Sequence, residues 1–275
     1  MARVLTLAIE TSNPSAVGVA ASTPGPGVAV GWVEPATPEH TEVLTREPLH
    51  AVDRRYDDLL ACIDRCVRAA GVAPTDFSLV AFSAGPGGFT SLRSACATAK
   101  MIAYTAGVRN GRAVPGCAVP TATAVADALI NAERRAGTPR WRALIVALAG
   151  KGECAFVCTF ADLRGGRAGG VPAASGEGRV LGAVEVGAVT ESLRALGGAV
   201  GLVADEHIPA PVVEAALAAG AERVHPVFDP ASVLRCAAAA AHAPGPDGWI
   251  DPIGLAPIYG REPEAVTLWR RRGAR

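Results

Sequence analysis

The sequence has no surplus of charge of either sign: Lys and Arg together number 26, and so do Asp and Glu. A protein that grips nucleic acid by itself usually carries a basic excess, because counterion release from phosphates drives that binding. Neutrality therefore argues against an autonomous RNA binder and leaves open contact with RNA inside a complex. Long apolar runs are missing as well. Nothing reaches the roughly 18 uncharged apolar residues that mark a spanning helix, and the Ala-rich run from Cys236 to Ala241 is too short. The opening Met1–Ile9 carries one basic residue and a short apolar stretch before Glu10. It reads as a buried strand rather than a signal peptide, and a soluble, cytoplasmic protein with no membrane segment is expected. The seven cysteines lack the tight knuckle spacing of zinc sites. Cys62 with Cys66, and Cys154 with Cys158, read as small apolar core residues in a reducing compartment. No repeat of short fixed period is present.

What is there is a chain of 275 residues, half of them hydrophobic. That suffices for one large domain or two small lobes, each with a core. Strands are expected at Val4–Ile9, Ala16–Ala21 and Val28–Val33, joined by Ser12–Ser15 and by the turn Pro24–Gly27. Pro35–Pro48 is polar and proline-broken and reads as loop. Tyr56, Leu59, Leu60, Ile63, Cys66, Val67 and Ala70 follow helical spacing, Asp53, Asp57 and Asp58 suit the helix start, and Gly71 supplies the stop. A strand at Leu79–Ser83 runs into Gly85-Pro86-Gly87-Gly88 and a helix from about Phe89 to Ala106. Further on come a strand at Ala113–Val119, a helix from Thr121 or Thr123, and strands at Trp141–Leu148 and Cys154–Phe160. Leu163–Arg179 reads as an excursion loop. It is followed by a strand at Val200–Ala204, a helix at Val212–Ala219, a strand at Val224–Val227 and a helix at Ala231–His242. Two units emerge: residues 1–110, to which 250–275 returns, and 111–249.

Two segments carry chemical information. Gly85–Gly88 lies between a strand and a helix, where backbone N–H groups form a natural anion site and glycine lets a ligand approach. It lacks the spacing of a Walker loop or a dinucleotide fingerprint, and a tight turn that packs helix on sheet explains it equally. Glu10-Thr11-Ser12 at a strand end could hold a metal or phosphate, or simply cap a turn.

Taken together, these segments resemble the TsaB (YeaZ) family. Its members open with a strand like "LAIDTS", matched by Leu7-Ala8-Ile9-Glu10-Thr11-Ser12. They continue with a loop-helix like "GPGSFTGLRIGVATAKGLA", matched by Gly85-Pro86-Gly87-Gly88-Phe89-Thr90-Ser91-Leu92-Arg93 and Ala97-Thr98-Ala99-Lys100. Near the end they carry "PxYLRxxxA", matched by Pro257-Ile258-Tyr259-Gly260-Arg261 through Ala265. The three segments stand in order along nearly the whole chain. The sequence departs from the family at Tyr56, where His is usual, and at Ala149–Ala155, where the "DARxxEVY" hairpin loses its Asp and Tyr.

The resemblance implies an α/β fold of the actin/hexokinase/Hsp70-like class, with two related lobes of mixed sheets flanked by helices. It implies a non-catalytic subunit, with no catalytic residue and no metal ligand of its own. Such a subunit supports a TsaD-like transferase that places threonylcarbamoyl on tRNA, alongside a TsaE-like ATPase. tRNA is met through the complex alone, any ATP or ADP sits at the complex interface, and a homodimer can form through the same helices. The five histidines, His40, His50, His207, His225 and His242, include no pair four apart, the spacing that holds metal in the transferase relative. In the family the two helices after the first strands pair with their counterparts in the transferase. That places Tyr56, Leu59, Cys62, Ile63, Cys66, Leu92, Ala95, Cys96, Ala99 and Ile102 at the partner interface, with Leu60, Ile63 and Val67 forming the first helix's own core stripe. Loop and anion or nucleotide contacts fall to Glu10, Thr11, Ser12, Gly85, Pro86, Gly87, Gly88, Thr90 and Arg93. Two other readings remain open: an active nucleotide-dependent phosphotransferase using Glu10, Thr11 and the glycine loop, and a self-associating scaffold unrelated to tRNA. The basic tail Trp269–Arg275 reads as a solvated terminus.

Overall fold

A computed structural model describes residues 3–13, 24–35, 37–50, 58–163, 170–243, 245, 248–260 and 269. The expected strand Ala16–Ala21, Tyr56 and most of the basic tail lie outside these residues.

The first sheet begins with a meander of β1 (Val4–Glu10), β2 (Gly27–Val33) and β3 (Glu42–Pro48). After α1 (Leu59–Ala70), β4 (Leu79–Gly85) joins parallel to β1. After α2 (Phe89–Asn110), β5 (Gly116–Pro120) joins parallel to β4. The second sheet repeats the scheme after α3 (Thr121–Arg135). Its meander is β6 (Trp141–Lys151), β7 (Cys154–Phe160) and β8 (Arg179–Gly182). Then α4 (Ala183–Arg194) leads to β9 (Ala199–Val203), parallel to β6, and α5 (Ala210–Ala218) leads to β10 (Glu222–Val224), parallel to β9. α6 (Pro230–Ala239) follows, and β11 (Trp249–Ile250) closes the first sheet antiparallel to β5. The strand orders are β11-β5-β4-β1-β2-β3 and β10-β9-β6-β7-β8. Apart from β11 they are the same arrangement, built twice by sequences that share no repeat.

β4 is buried along its whole length because helices cover both faces of its sheet. This explains its unbroken apolar run. On one face α1 and α2 bury Leu59, Cys62, Ile63, Cys66, Val67, Ala95, Cys96, Ala99 and Ile102 against Leu7, Ile9, Val80 and Phe82. α6 covers the other face through Val233, Leu234 and Ala237. In the second unit, α4 and α5 pack on one side through Val186, Val212 and Ala216. α3 packs on the other side, placing Val125, Ala126 and Ile130 against Trp141, Leu144, Val146 and Phe160. The helix that follows each sheet's last parallel strand therefore packs on the other sheet: α3 after β5 covers the second sheet, and α6 after β10 covers the first. Where α3 and α6 meet, Arg235 donates to Asp127 at 2.8 Å and to Ser232 at 2.8 Å, deep inside the molecule.

One expectation is corrected here, and one element is added. Glu42–Pro48 is an edge strand, not loop: every second residue is partly covered and the rest are solvated, and its polar, proline-ended sequence suits an edge. Ala183–Arg194 is a helix that the sequence pattern does not announce, because only Val186 and Thr190 of it are buried. A glycine stop ends α1 as expected, and α2 runs beyond the expected Ala106 to a like stop at Gly111. Gly71 and Gly111 adopt φ of 68° and 61° and donate back to the last turn.

Candidate functional site

The carboxyl ends of β1, β4 and β5 converge on a buried polar cluster. Glu10 is fully buried; its Oε1 accepts from the Ser12 N–H at 2.7 Å and from the Ser12 hydroxyl at 2.5 Å. Its Oε2 is buried without a hydrogen-bond partner. Burial raises the Glu10 pKa above the ordinary carboxylate value, the Ser12 bonds and nearby Ser83 oppose that shift, and the charge of Asp229 adds to it. Ser83 and Thr121 share a hydroxyl hydrogen bond of 2.7 Å, and the Thr121 hydroxyl also accepts from the Gly85 N–H at 3.0 Å. Asp229 caps α6 through the Ala231 N–H at 2.9 Å and faces Arg46 at 3.3 Å. At the mouth of the cluster, Asn13 Nδ2 donates to Asp205 Oδ2 at 2.9 Å, tying the turn after β1 to the turn after β9.

The structure brings Glu10, Ser12, Gly85, Pro86, Gly87 and Gly88 together, with Thr11 holding the Ser91 carbonyl at 3.2 Å. The glycines serve close approach of protein to protein. A Cβ on Gly87 would stand 2.2 Å from the Ser12 carbonyl oxygen, and one on Gly85 would stand 2.4 Å from that of Ile258. Gly88 N–H donates to the Ser12 carbonyl at 2.7 Å, and Ile258 N–H to Ala84 at 2.7 Å. Thr90 and Arg93 stand apart from the cluster. Both are exposed, and the Arg93 guanidinium lies over the Phe89 ring at 4.0 Å while Nε donates to the Tyr259 hydroxyl at 3.1 Å.

The residues expected at a partner interface are placed differently. Leu59, Cys62, Ile63, Cys66, Leu92, Ala95, Cys96, Ala99 and Ile102 are all buried in the chain's own core. Leu60, expected in the core stripe, is 59% exposed. Adjacent leucines at the start of an amphipathic helix leave the facing residue undecided by spacing, and packing against β2 and β3 selects Leu59. The outer side of α2 instead shows Met101, Tyr104 and Val108, exposed at 54%, 72% and 66%. Their spacing is helical, so they form one apolar stripe. The signal was present in the sequence but was masked by the small residues around the rest of the helix. Burial pushes the Cys62 thiol up to about 12 and the Cys66 thiol to about 11, so both are protonated, inert core groups.

Residues 47–149 match the family model for TsaD, tRNA N6-adenosine threonylcarbamoyltransferase. No curated protein matches the sequence. Solved structures do. YeaZ from Pseudomonas aeruginosa superposes with a TM-score of 0.59 at 17% identity, covering 92% of this chain and 100% of that one. The chain has the YeaZ fold. A second structure, of an uncharacterized protein similar to peptidase YeaZ from Pseudomonas aeruginosa, gives a TM-score of 0.58 at 18% identity, covering 94% and 100% of the two chains. The YeaZ-like architecture agrees with the expected actin/hexokinase/Hsp70-like class of two related lobes. Among the described residues no group of three or more His, Cys, Asp or Glu is placed to hold a metal ion, and no helix is long and apolar enough to cross a membrane.

Proposed function

We propose that this YeaZ-like chain is a cytoplasmic, non-catalytic subunit that binds a TsaD-type transferase and supports threonylcarbamoyladenosine modification of tRNA. The observation that carries this reading is the coincidence of two independent features. The TsaD-family match covers residues 47–149, which include α1 and α2. Those two helices lie on one face of the first sheet and turn Leu60, Met101, Tyr104 and Val108 outward. Aromatic and flexible apolar side chains of this kind anchor protein interfaces. A TsaE-type ATPase joins the pair, tRNA is met in the assembled complex, and any ATP or ADP sits where subunits meet. The exposed stripe also suits pairing with a second copy of the chain in the absence of the transferase.

Reconstitution tests the reading. Purified TsaD-type transferase, TsaE-type ATPase and the carbamoyl-adenylate synthase are combined with tRNA, with and without this chain. Modified tRNA is expected to rise strongly when the chain is present; equal product in both reactions rejects the proposal. In a pull-down, Met101→Asp combined with Tyr104→Glu is expected to abolish transferase binding without lowering the melting temperature of the chain.

A further inference from the structure

The fold class implies a nucleotide in the cleft between its lobes, and the residues of this chain do not fit one. We infer that the turn Glu10–Asn13 and the loop Gly85–Gly88 have the backbone donors of Ser12, Gly85 and Gly88 already taken by protein and are packed against each other, so that the isolated chain takes no nucleotide phosphate at this end of the cleft. A phosphate there needs free backbone N–H groups and room for the backbone to approach it. The Ser12 N–H is held by the Glu10 carboxyl, the Gly85 N–H by the Thr121 hydroxyl, and the Gly88 N–H by the Ser12 carbonyl. The room that glycine normally leaves for a ligand is filled with backbone: Ser12 against Gly87 and Ile258 against Gly85. On the second lobe, Gly150 near the β6–β7 turn is likewise pressed against the protein. A Cβ there would stand 2.7 Å from Pro209 Cδ and 2.8 Å from the His207 carbonyl oxygen. The charge is also unfavourable. Glu10 and Asp229 interact electrostatically in this corner, Asp205 lies at its mouth, and Arg46 is engaged by Asp229.

Glu10 is then a positioning residue. Its carboxyl fixes Ser12, and Ser12 in turn presents its carbonyl to Gly88. The expectation that Glu10, Thr11, Ser12 and the glycine loop contact nucleotide gives way to one in which they close the site, and nucleotide chemistry belongs to the partner. This inference is independent of the partner-subunit proposal, since nucleotide binding by the isolated chain and product formation by the reconstituted complex are separate measurements.

The test uses the full chain in equilibrium dialysis against millimolar Mg·ATP, Mg·ADP and inorganic phosphate, together with melting curves of Glu10→Ala and Glu10→Gln. No saturable retention of any of the three is expected. Glu10→Ala is expected to melt several degrees below wild type, and Glu10→Gln, which keeps the acceptor, to restore most of that loss. Saturable binding of any of the three to the wild-type chain overturns the inference. So does a Glu10→Ala variant that melts with the wild type. If Glu10→Ala does not fold, dialysis of the wild type and the Glu10→Gln comparison decide the matter.

Discussion

At Glu10 the cost of burying a carboxyl group is set against two hydrogen bonds from one serine. Because its folded pKa lies above the ordinary value of 4.5, the native state binds the proton more tightly than the unfolded chain does. Stability from this group is therefore fully present below the unfolded pKa and declines as pH rises above about 4.5 through the folded value. Glu10→Gln removes that dependence: the stability of the variant relative to wild type is expected to increase from acidic to neutral pH, as read from urea denaturation across that range. Lowered carboxylates such as Asp58, held down by Arg65, act with the opposite sign in both proteins and cancel in the difference. Ala95 makes a complementary point. It is wholly buried against the first sheet, so Ala95→Arg is a test of folding rather than of pairing. A guanidinium forced into that space is expected to cost on the order of 4 kcal/mol or more, visible as a large loss of melting temperature.

Elements divide into those whose pattern dictates their partner and those whose partner dictates their pattern. α1 belongs to the first kind. Leu59, Cys62, Ile63, Cys66 and Val67 repeat at helical spacing, and the helix lies where that stripe places it. α2 belongs to the second. Small residues occur on all its sides, so the sequence shows a helix that neighbours can approach closely but not which side they take. The inner side is chosen by β4 and by residues 253–255, whose backbone carbonyls receive Lys100 Nζ at 2.9 Å and lie 3.6 Å from Cys96 Sγ. The outer stripe Met101–Tyr104–Val108 is what remains. β3 and α4 were illegible for a related reason: each is solvated along much of its length, and neither has an apolar stripe strong enough to stand out. The glycine loop was legible as a strand-to-helix turn. Its packing role was not, because Ser12 and Ile258, which fill it, come from distant sequence. Gly87→Ala tests that role. With the Ser12 carbonyl 2.2 Å from the added carbon, one of the two turns must move, and a loss of ~2 kcal/mol or more is expected in denaturant titration.

On the scale of the molecule, the sequence pointed to two units and the structure shows how alike they are: each has a three-stranded meander followed by two parallel strands in the same spatial order. No sequence repeat reveals this, because burial fixes only which positions are apolar, and many residue choices satisfy it. Between the units, the Asp127–Arg235 pair joins α3 to α6. Asp127→Ala leaves the guanidinium buried and unpaired and is expected to cost ~3–5 kcal/mol, measurable by chemical denaturation. The exchange of end helices has a further consequence. The sheet of residues 4–120 lacks one of its covers unless α6 arrives from later in the chain, and the second sheet lacks one of its covers without α3. A protease cut in the α3–β6 connection would therefore release no free-standing half. The two fragments should stay associated until they unfold together, and either one expressed by itself should be insoluble until the other is supplied.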